Sequence, residues 1–289
     1  VLIARAAGQT LETFMRERPP SAPDQRWDDG DRTRMRATVT RFCDDAKARG
    51  ITGRPLLWKL ARRRIERTAL HFLTIDAEFR QTYDAVPDAD DLEVPFGMGG
   101  QPGVTVPLTG GRSVTFRGRI DRIDRSPDGT RVVVYDYKTG RVFHDDTLTR
   151  DPVDAGRRLQ LPIYGLAAAA RTGIDDAQAY YWFTRAETFD DAWEGYPLDG
   201  SVRARFGDVI NSIADGIDAG CFPAYPGPRD YDYRVHRETF ENCLWCPFDR
   251  LCPVERGTAW ERQSSDAGMA PFWSLELDSE SPDPGDGGR

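Results

Sequence analysis

Two acidic segments separated by a short turn carry the residues best suited to chemistry: Gly118–Asp124, GRIDRID, and Tyr135–Gly140, YDYKTG. Asp136 and Lys138 are two apart, so on an extended strand both side chains leave the same face. The intervening Ser126–Thr130, SPDGT, is a strong turn signal. A hairpin there brings Asp121 beside Asp136. Two carboxylates and an ammonium at one sheet edge suit metal-assisted hydrolysis of a phosphodiester. Carboxylate oxygens hold Mg²⁺ or Mn²⁺, the cation acidifies a water and polarises the phosphate, and a lysine steadies the attacking water or the developing charge. An isolated D-x-K is more often a surface ion pair worth under ~1 kcal/mol. Asp136 departs from that reading because it follows a run of apolar and aromatic residues and an acid-rich strand one turn upstream.

The elements that must position these residues can be read outward from the hairpin. Arg131–Lys138, RVVVYDYK, is β-branched and apolar, as a central strand is. Val114–Ile123 and Leu92–Phe96 alternate as strands do, and Ala179–Phe183 reads as another. Leu159–Arg171 reads as a helix despite Pro162, and Val202–Ala219 as an amphipathic one. Upstream, residues 1–20 form a helix with Leu11, Phe14 and Met15 on one face, stopped by Pro19-Pro20. Residues 21–32 are loop, 33–49 a helix ending before Gly50, and Pro55–Arg80 a long helix spaced by Leu57, Leu60, Ile65, Leu70 and Leu73. No internal repeat is present. The order predicts an α/β core, a central mixed sheet flanked by helices, with an N-terminal helical region and a C-terminal cysteine segment. The expected divisions are 1–86, helical; 87–220, catalytic core; 221–262, cysteine segment; and 263–289, an acidic, unstructured tail.

Composition sets the outer limits. A hydrophobic share of 39% and a charged share of 30% fit a soluble globular chain. No apolar run approaches the ~18 residues of a spanning helix and no signal pattern opens the sequence, so a cytoplasmic location without membrane contact is expected. The chain starts at Val1 rather than methionine, which fits a piece of something longer. The net charge of −8 speaks against nucleic acid, but Arg54–Arg67, RPLLWKLARRRIER, is strongly basic. Metal would neutralise catalytic acids in any case.

Five cysteines are present, and Cys243, Cys246 and Cys252 are grouped as C-x2-C-x5-C. An odd count with so tight a group points away from a secreted disulfide framework and toward a bound metal or cluster, zinc being the generic reading.

GRIDRID, then YDYKTG, then QLPIY together resemble the PD-(D/E)XK nuclease domain of RecB/AddB-type helicase–nucleases, within the restriction-endonuclease-like superfamily. The resemblance implies Asp121 and Asp136 as metal ligands, Lys138 as the catalytic lysine and the backbone carbonyl of Tyr137 as a further ligand. Gln160 and Tyr164 match the family's Q-x-x-x-Y and would support the site or touch DNA. Otherwise they are a capping glutamine and a core tyrosine. Asp124 is read as a surface residue or one backing the site. The cysteine spacing resembles the C-terminal part of an AddB-like [4Fe–4S] staple, whose fourth ligand would precede Val1; neither Cys43 nor Cys221 takes that place. The family's first-helix histidine falls on Gly8, with Glu12 four residues on. Of the three histidines, His71 is expected to be packed or at the surface, and His144 is the nearest to the site in sequence; the third is His236.

What the resemblance implies is a Mg²⁺- or Mn²⁺-dependent deoxyribonuclease, an exonuclease on single-stranded DNA delivered by a helicase motor or partner subunit during double-strand-break repair and recombination. No phosphate-binding loop or motor is legible in the chain itself. Arg119, Arg122, Arg157, Arg158 and part of the Arg54–Arg67 helix are the expected DNA contacts, salt-sensitive and sequence-independent. The alternative is a catalytically weakened DNA-binding or scaffolding module, suggested by Gly8 and the missing cluster ligand. A zinc-stapled protein with incidental acids explains only the cysteines.

Overall fold

Residues 2–139, 147–233, 236–244, 246–248 and 251–279 are described by the structure, a computed structural model. They fall into two compact units that divide between Gly207 and Asp208.

The first unit opens with three helices: α1, Leu2–Glu17; α2, Asp29–Ala48; and α3, Pro55–Tyr83. α2 begins four residues earlier than its hydrophobic pattern predicts, because Asp28 and Asp31 form a reciprocal capping box. Proline at the first position of α3 costs nothing, since its missing N–H would be unpaired there anyway. Only part of the apolar spacing on α3 reflects burial. Ile65 and Leu73 are in the core, whereas Leu57 and Leu60 are 60% and 56% exposed.

Five strands build the main sheet, in the order β1 (Val86–Phe96), β4 (Gly118–Arg125), β5 (Arg131–Lys138), β6 (Asp176–Phe183) and β7 (Trp193–Pro197). β5 and β6 run parallel and the other neighbours antiparallel, so the sheet is mixed as expected. A two-stranded ribbon, β2 (Val104–Pro107) with β3 (Ser113–Phe116), stands apart. The single strand expected over Val114–Ile123 is therefore two, broken at Arg117. The turn between β4 and β5 is held by Ser126 Oγ, which accepts from Arg131 N at 2.9 Å, and by Gly129 at φ +70°.

After β5, a short helix α4 (Thr147–Arg150) leads to α5 (Gln160–Thr172). Pro162 sits in the first turn of α5, where it breaks no helical hydrogen bond. β7 was not legible in the sequence. Its Gly195 is there because a Cβ would lie 2.2 Å from Ala179 O, inside the contact with β6.

The two sides of the sheet are covered differently. On one side Phe72 and Phe79 of α3 pack on Trp182, Tyr135 and Tyr137, with ring centroids 4.3–5.8 Å apart. On the other lies α5, and the site faces it.

The second unit contains the end of α6 (Gly200–Asp218), the hairpin β8 (Arg229–Asp232) with β9 (Arg237–Phe240), and two helices, α7 (Arg256–Ser264) and α8 (Ala270–Ser279). The segment from 263, expected to be unstructured, is helical over 270–279. Phe272 and Trp273 of α8 anchor it on Trp260 of α7, with centroids 5.7 and 5.6 Å away. Among the described residues no helix is long and apolar enough to cross a membrane.

Candidate active site

The register of the sheet sets a line of polar side chains across all five strands. Arg122 pairs with Tyr135, and the antiparallel step beyond sets Asp121 across from Asp136. Leu92 pairs with Arg122 and Val94 with Ile120, which leaves Glu93 across from Asp121. On the other side Asp136 pairs with Tyr181, and Tyr181 with Glu194. One row therefore runs Glu93, Asp121, Asp136, Tyr181, Glu194. Directly opposed like charges are unfavourable in a sheet, so this row needs compensation.

Part of the compensation comes from the side chains expected from the sequence. Gln160, at the start of α5, accepts from Lys138 Nζ at 2.8 Å through Oε1. Its Nε2 donates to Asp136 Oδ1 at 2.7 Å and to Tyr164 Oη at 3.0 Å. One turn of helix thus ties Asp136, Lys138 and Tyr164 together through a single amide. Lys138 Nζ also lies over the Tyr181 ring, 4.6 Å from its centroid. Asp121 Oδ2 accepts from the backbone N–H of Tyr137 at 2.7 Å.

Arg119 and Arg158 pair with the outer carboxylates Glu93 and Glu194 at 3.6 and 3.4 Å. Asp136 is 4% exposed, and its Oδ2 is buried without a directed hydrogen bond. Lys138 Nζ stands 2.5 Å from that oxygen, so the two form an ion pair. Burial raises the Asp136 carboxyl above its ordinary range against the pull of Lys138. Asp121 is pushed up to about 7, first by burial, then by Asp136 and Glu93, against the Tyr137 N–H and Lys138. Glu93 is itself raised by burial and by Glu12 of α1, with Arg119 opposing at 3.6 Å. Two neighbouring carboxylates, both raised by burial, are oxygen donors of the kind a hard divalent cation takes.

Several expected residues lie elsewhere. Arg122 is not available to DNA. It is fully buried on the α3 side, donating to Asp124 Oδ1 and Oδ2 at 2.5 and 2.6 Å and to Asp76 Oδ1 at 2.6 Å. Asp124 is correspondingly a buried ion-pair partner with no surface exposure. The reason is the period of the strand: Arg122 and Asp124 share one face, and Asp121 takes the other. Arg119 is exposed but paired with Glu93. Arg157 lies 3.3 Å from Asp154, and Arg158 lies 3.5 Å from Asp154 and 3.4 Å from Glu194. His71 is packed, its Nε2 2.8 Å from Ala186 O, whereas His144 lies outside the described residues. A Cβ on Gly8 would meet nothing within 4 Å.

Cys243, Cys246 and Cys252 are half-buried, and among the described residues none forms a disulfide. Cys246 N donates to Cys243 O at 3.4 Å, which folds the first two into one turn. Among the described residues no three His, Cys, Asp or Glu side chains are gathered closely enough to hold a metal between them. These three thiols fall one short of the four ligands that a zinc ion or a [4Fe–4S] cluster takes.

Glu93, Tyr181 and Glu194 were missed by sequence reading. Their only signal is cross-strand register, which no local pattern reports. Glu93 also sits at φ +52°, beside the register shift between Pro87 and Leu92. Non-glycine residues seldom adopt that conformation.

A family model of the PD-(D/E)XK nuclease superfamily matches residues 6–253. The chain belongs to that superfamily. Within it, similarity extends to bacterial proteins named as subunits of an ATP-dependent helicase/deoxyribonuclease. The one from Symbiobacterium thermophilum is 37% identical over 129 residues, 41% of this chain and 10% of that protein. Those from Bacillus mycoides and Desulforudis audaxviator are 34% identical over 109 residues and 42% over 85, covering 35% and 27% of this chain and 8% and 7% of theirs. The chain thus spans a tenth or less of the length of these relatives. The mixed sheet with flanking helices is the superfamily's restriction-endonuclease-like fold.

Proposed function

We propose that this superfamily domain is a Mg²⁺- or Mn²⁺-dependent deoxyribonuclease, an exonuclease acting on single-stranded DNA supplied by a helicase. The observation that carries the reading is the pair of neighbouring carboxylates, Asp121 and buried Asp136, with Lys138 beside them. Family membership and the helicase/deoxyribonuclease names of the relatives support the substrate and the partner. Single-strand use and break repair follow from the same resemblance.

In this reading Asp121, Asp136 and the Tyr137 carbonyl hold the cation, which supplies charge neutralisation at the phosphate and acidifies a water. The chain's own residues do the positioning. Gln160 fixes one oxygen of Asp136 and the ammonium of Lys138, whose ion pair with the other oxygen would give way to the cation. Lys138, steadied by Gln160 and the Tyr181 face, presents a proton donor and a positive charge where the phosphoryl oxygens gain charge. Tyr164 holds the far side of Gln160.

A second reading, a weakened binding or scaffolding module, rests on Gly8, which brings no side chain where the family has a histidine. One assay separates the two. Labelled single-stranded DNA is incubated with Mg²⁺ or Mn²⁺ and the parent, Asp136→Ala or Lys138→Ala. Cutting by the parent alone is expected. Equal cutting by all three, or none by the parent at high metal, sinks the nuclease reading.

A further inference from the structure

Beyond the carboxylate row, the first unit has a cleft of about 530 Å³ lined by Arg64, Arg67, Thr68 and His71 of α3 and by residues 184–187, just after β6. Arg64, Arg67 and His71 are three and four apart, so one face of α3 presents them together. Arg185 approaches from the other wall. All three arginines are exposed, and among the described residues none of them is ion-paired. Arg62, on the same helix, is by contrast held by Asp44 at 3.2 Å, and Arg36 of α2 by Glu66 at 3.6 Å. The chain carries 47 acidic residues against 39 basic ones, so three unneutralised guanidiniums around one hollow are not a by-product of excess positive charge. Glu187 is the carboxylate on the rim, and it pairs with none of them among the described residues.

The cleft is joined to the site by backbone. Thr184 N donates to Lys138 O at 2.9 Å, so the cleft wall begins one hydrogen bond from the residue that carries the ammonium. It lies past the carboxyl ends of the parallel pair β5 and β6, the end of an open α/β sheet where ligands enter. His71 Nε2 faces the carbonyl of Ala186, an acceptor, so that nitrogen bears the proton and the ring braces the cleft wall. A hollow of this size is that of a small-molecule pocket. It takes one or two nucleotides and is too small for a duplex.

We infer that this cleft is a second phosphate-binding station, in which Arg64, Arg67 and Arg185 grip the backbone of one DNA strand whose neighbouring segment lies at Asp136 and Lys138. The inference rests on the proposed nuclease reading and adds where the strand runs. Arg64 and Arg67, with Cβ atoms ~5–6 Å apart at i,i+3, can engage neighbouring phosphates. Thr68 adds a hydroxyl donor on the same face.

The test measures anisotropy of a fluorescein-labelled oligothymidine of roughly twenty nucleotides, longer than the ~4–16 a single-strand groove holds. Metal is chelated so that nothing is cut, and the salt concentration is varied. The triple variant Arg64→Gln, Arg67→Gln, Arg185→Gln should bind at least about tenfold more weakly at low salt. Its slope of log affinity against log salt should fall by roughly 2, at ~0.7 per single-strand phosphate contact. Lysine at the same three positions should restore most of the slope, and melting curves should match the parent. Unchanged affinity and slope overturn the cleft, as does equal competition by polyglutamate and oligothymidine. If the parent binds with the expected slope but never cuts, the nuclease reading fails while the cleft stands. If it cuts but the triple variant binds normally, the reverse holds.

Discussion

The two faces of β4 use the same residue types to opposite ends. On the α3 face, Arg122 and Asp124 join Asp76 and Arg80 in a fully buried network in which the charges balance. Asp76 Oδ2 also accepts from Trp27 Nε1 at 2.7 Å, and Arg80 donates to the carbonyls of Ala22, Pro23 and Gln25, tying the loop before α2 to α3. Despite its burial, Asp76 is held below the ordinary carboxylate range by Arg122 and Arg80, whereas burial pushes Asp124 up to about 6 against the pull of Arg122. On the α5 face, one residue away, Asp121 faces Glu93 and Asp136 with a single ammonium nearby, and its carboxyl is pushed up. Where every charge has a partner, burial locks the fold. Where the carboxylates outnumber the cations, the deficit is a place for a cation to bind.

The largest effect that would break this comparison is on stability. Arg122→Met strands Asp124, leaves Asp76 with Arg80 and Trp27 alone, and should cost about 3–5 kcal/mol, as removal of one partner of a buried pair does. Chemical denaturation measures it. A variant that folds with parental stability but binds DNA poorly would return Arg122 to the nucleic-acid surface, where the sequence had suggested it.

A smaller effect is expected from Gln160→Ala, which frees Asp136 Oδ1 and Lys138 Nζ while leaving the proposed ligands themselves in place. Groups that orient ligands are typically worth about 10–100-fold in metal affinity or activity. Titration of cutting against Mg²⁺ should show that loss with little change in melting temperature. Parental activity at all metal concentrations would make the amide a mere helix-start residue.

The smallest effect concerns pH in the metal-free protein. Asp121 ionises at 3.8 when unconstrained and about 7 in the fold, so the folded chain holds a proton that the unfolded chain releases across that window. Its contribution to stability is complete below the lower value and is lost as pH rises through the upper one. Relative to Asp121→Asn, the parent should therefore lose melting temperature between those two pH values. Parallel curves would show that Asp121 is not raised.

Much of this was legible in the primary structure. β5 is apolar, β-branched and bounded by a turn, so its limits were readable to the residue. The D-x-K within it fixed Asp136 and Lys138 on one face by the period of two. Gln160 and Tyr164, four apart, had to share a helical face. The same period separated Asp121 from Arg122, but it could not say which face α3 would cover, and so Arg122 was read as a DNA contact and Asp124 as a surface residue or one backing the site.

The sequence by itself determined the local elements and the alternation of side chains, because steric preference and hydrophobic period act over a few residues. Only the tertiary structure decided that Glu93 and Glu194 join the row, since strand order and the register shift in β1 depend on contacts far apart in the chain. It also decided that Arg64 and Arg67 face an open cleft while Arg62 is neutralised. Charge has meaning only with its neighbours, and those neighbours are set by packing.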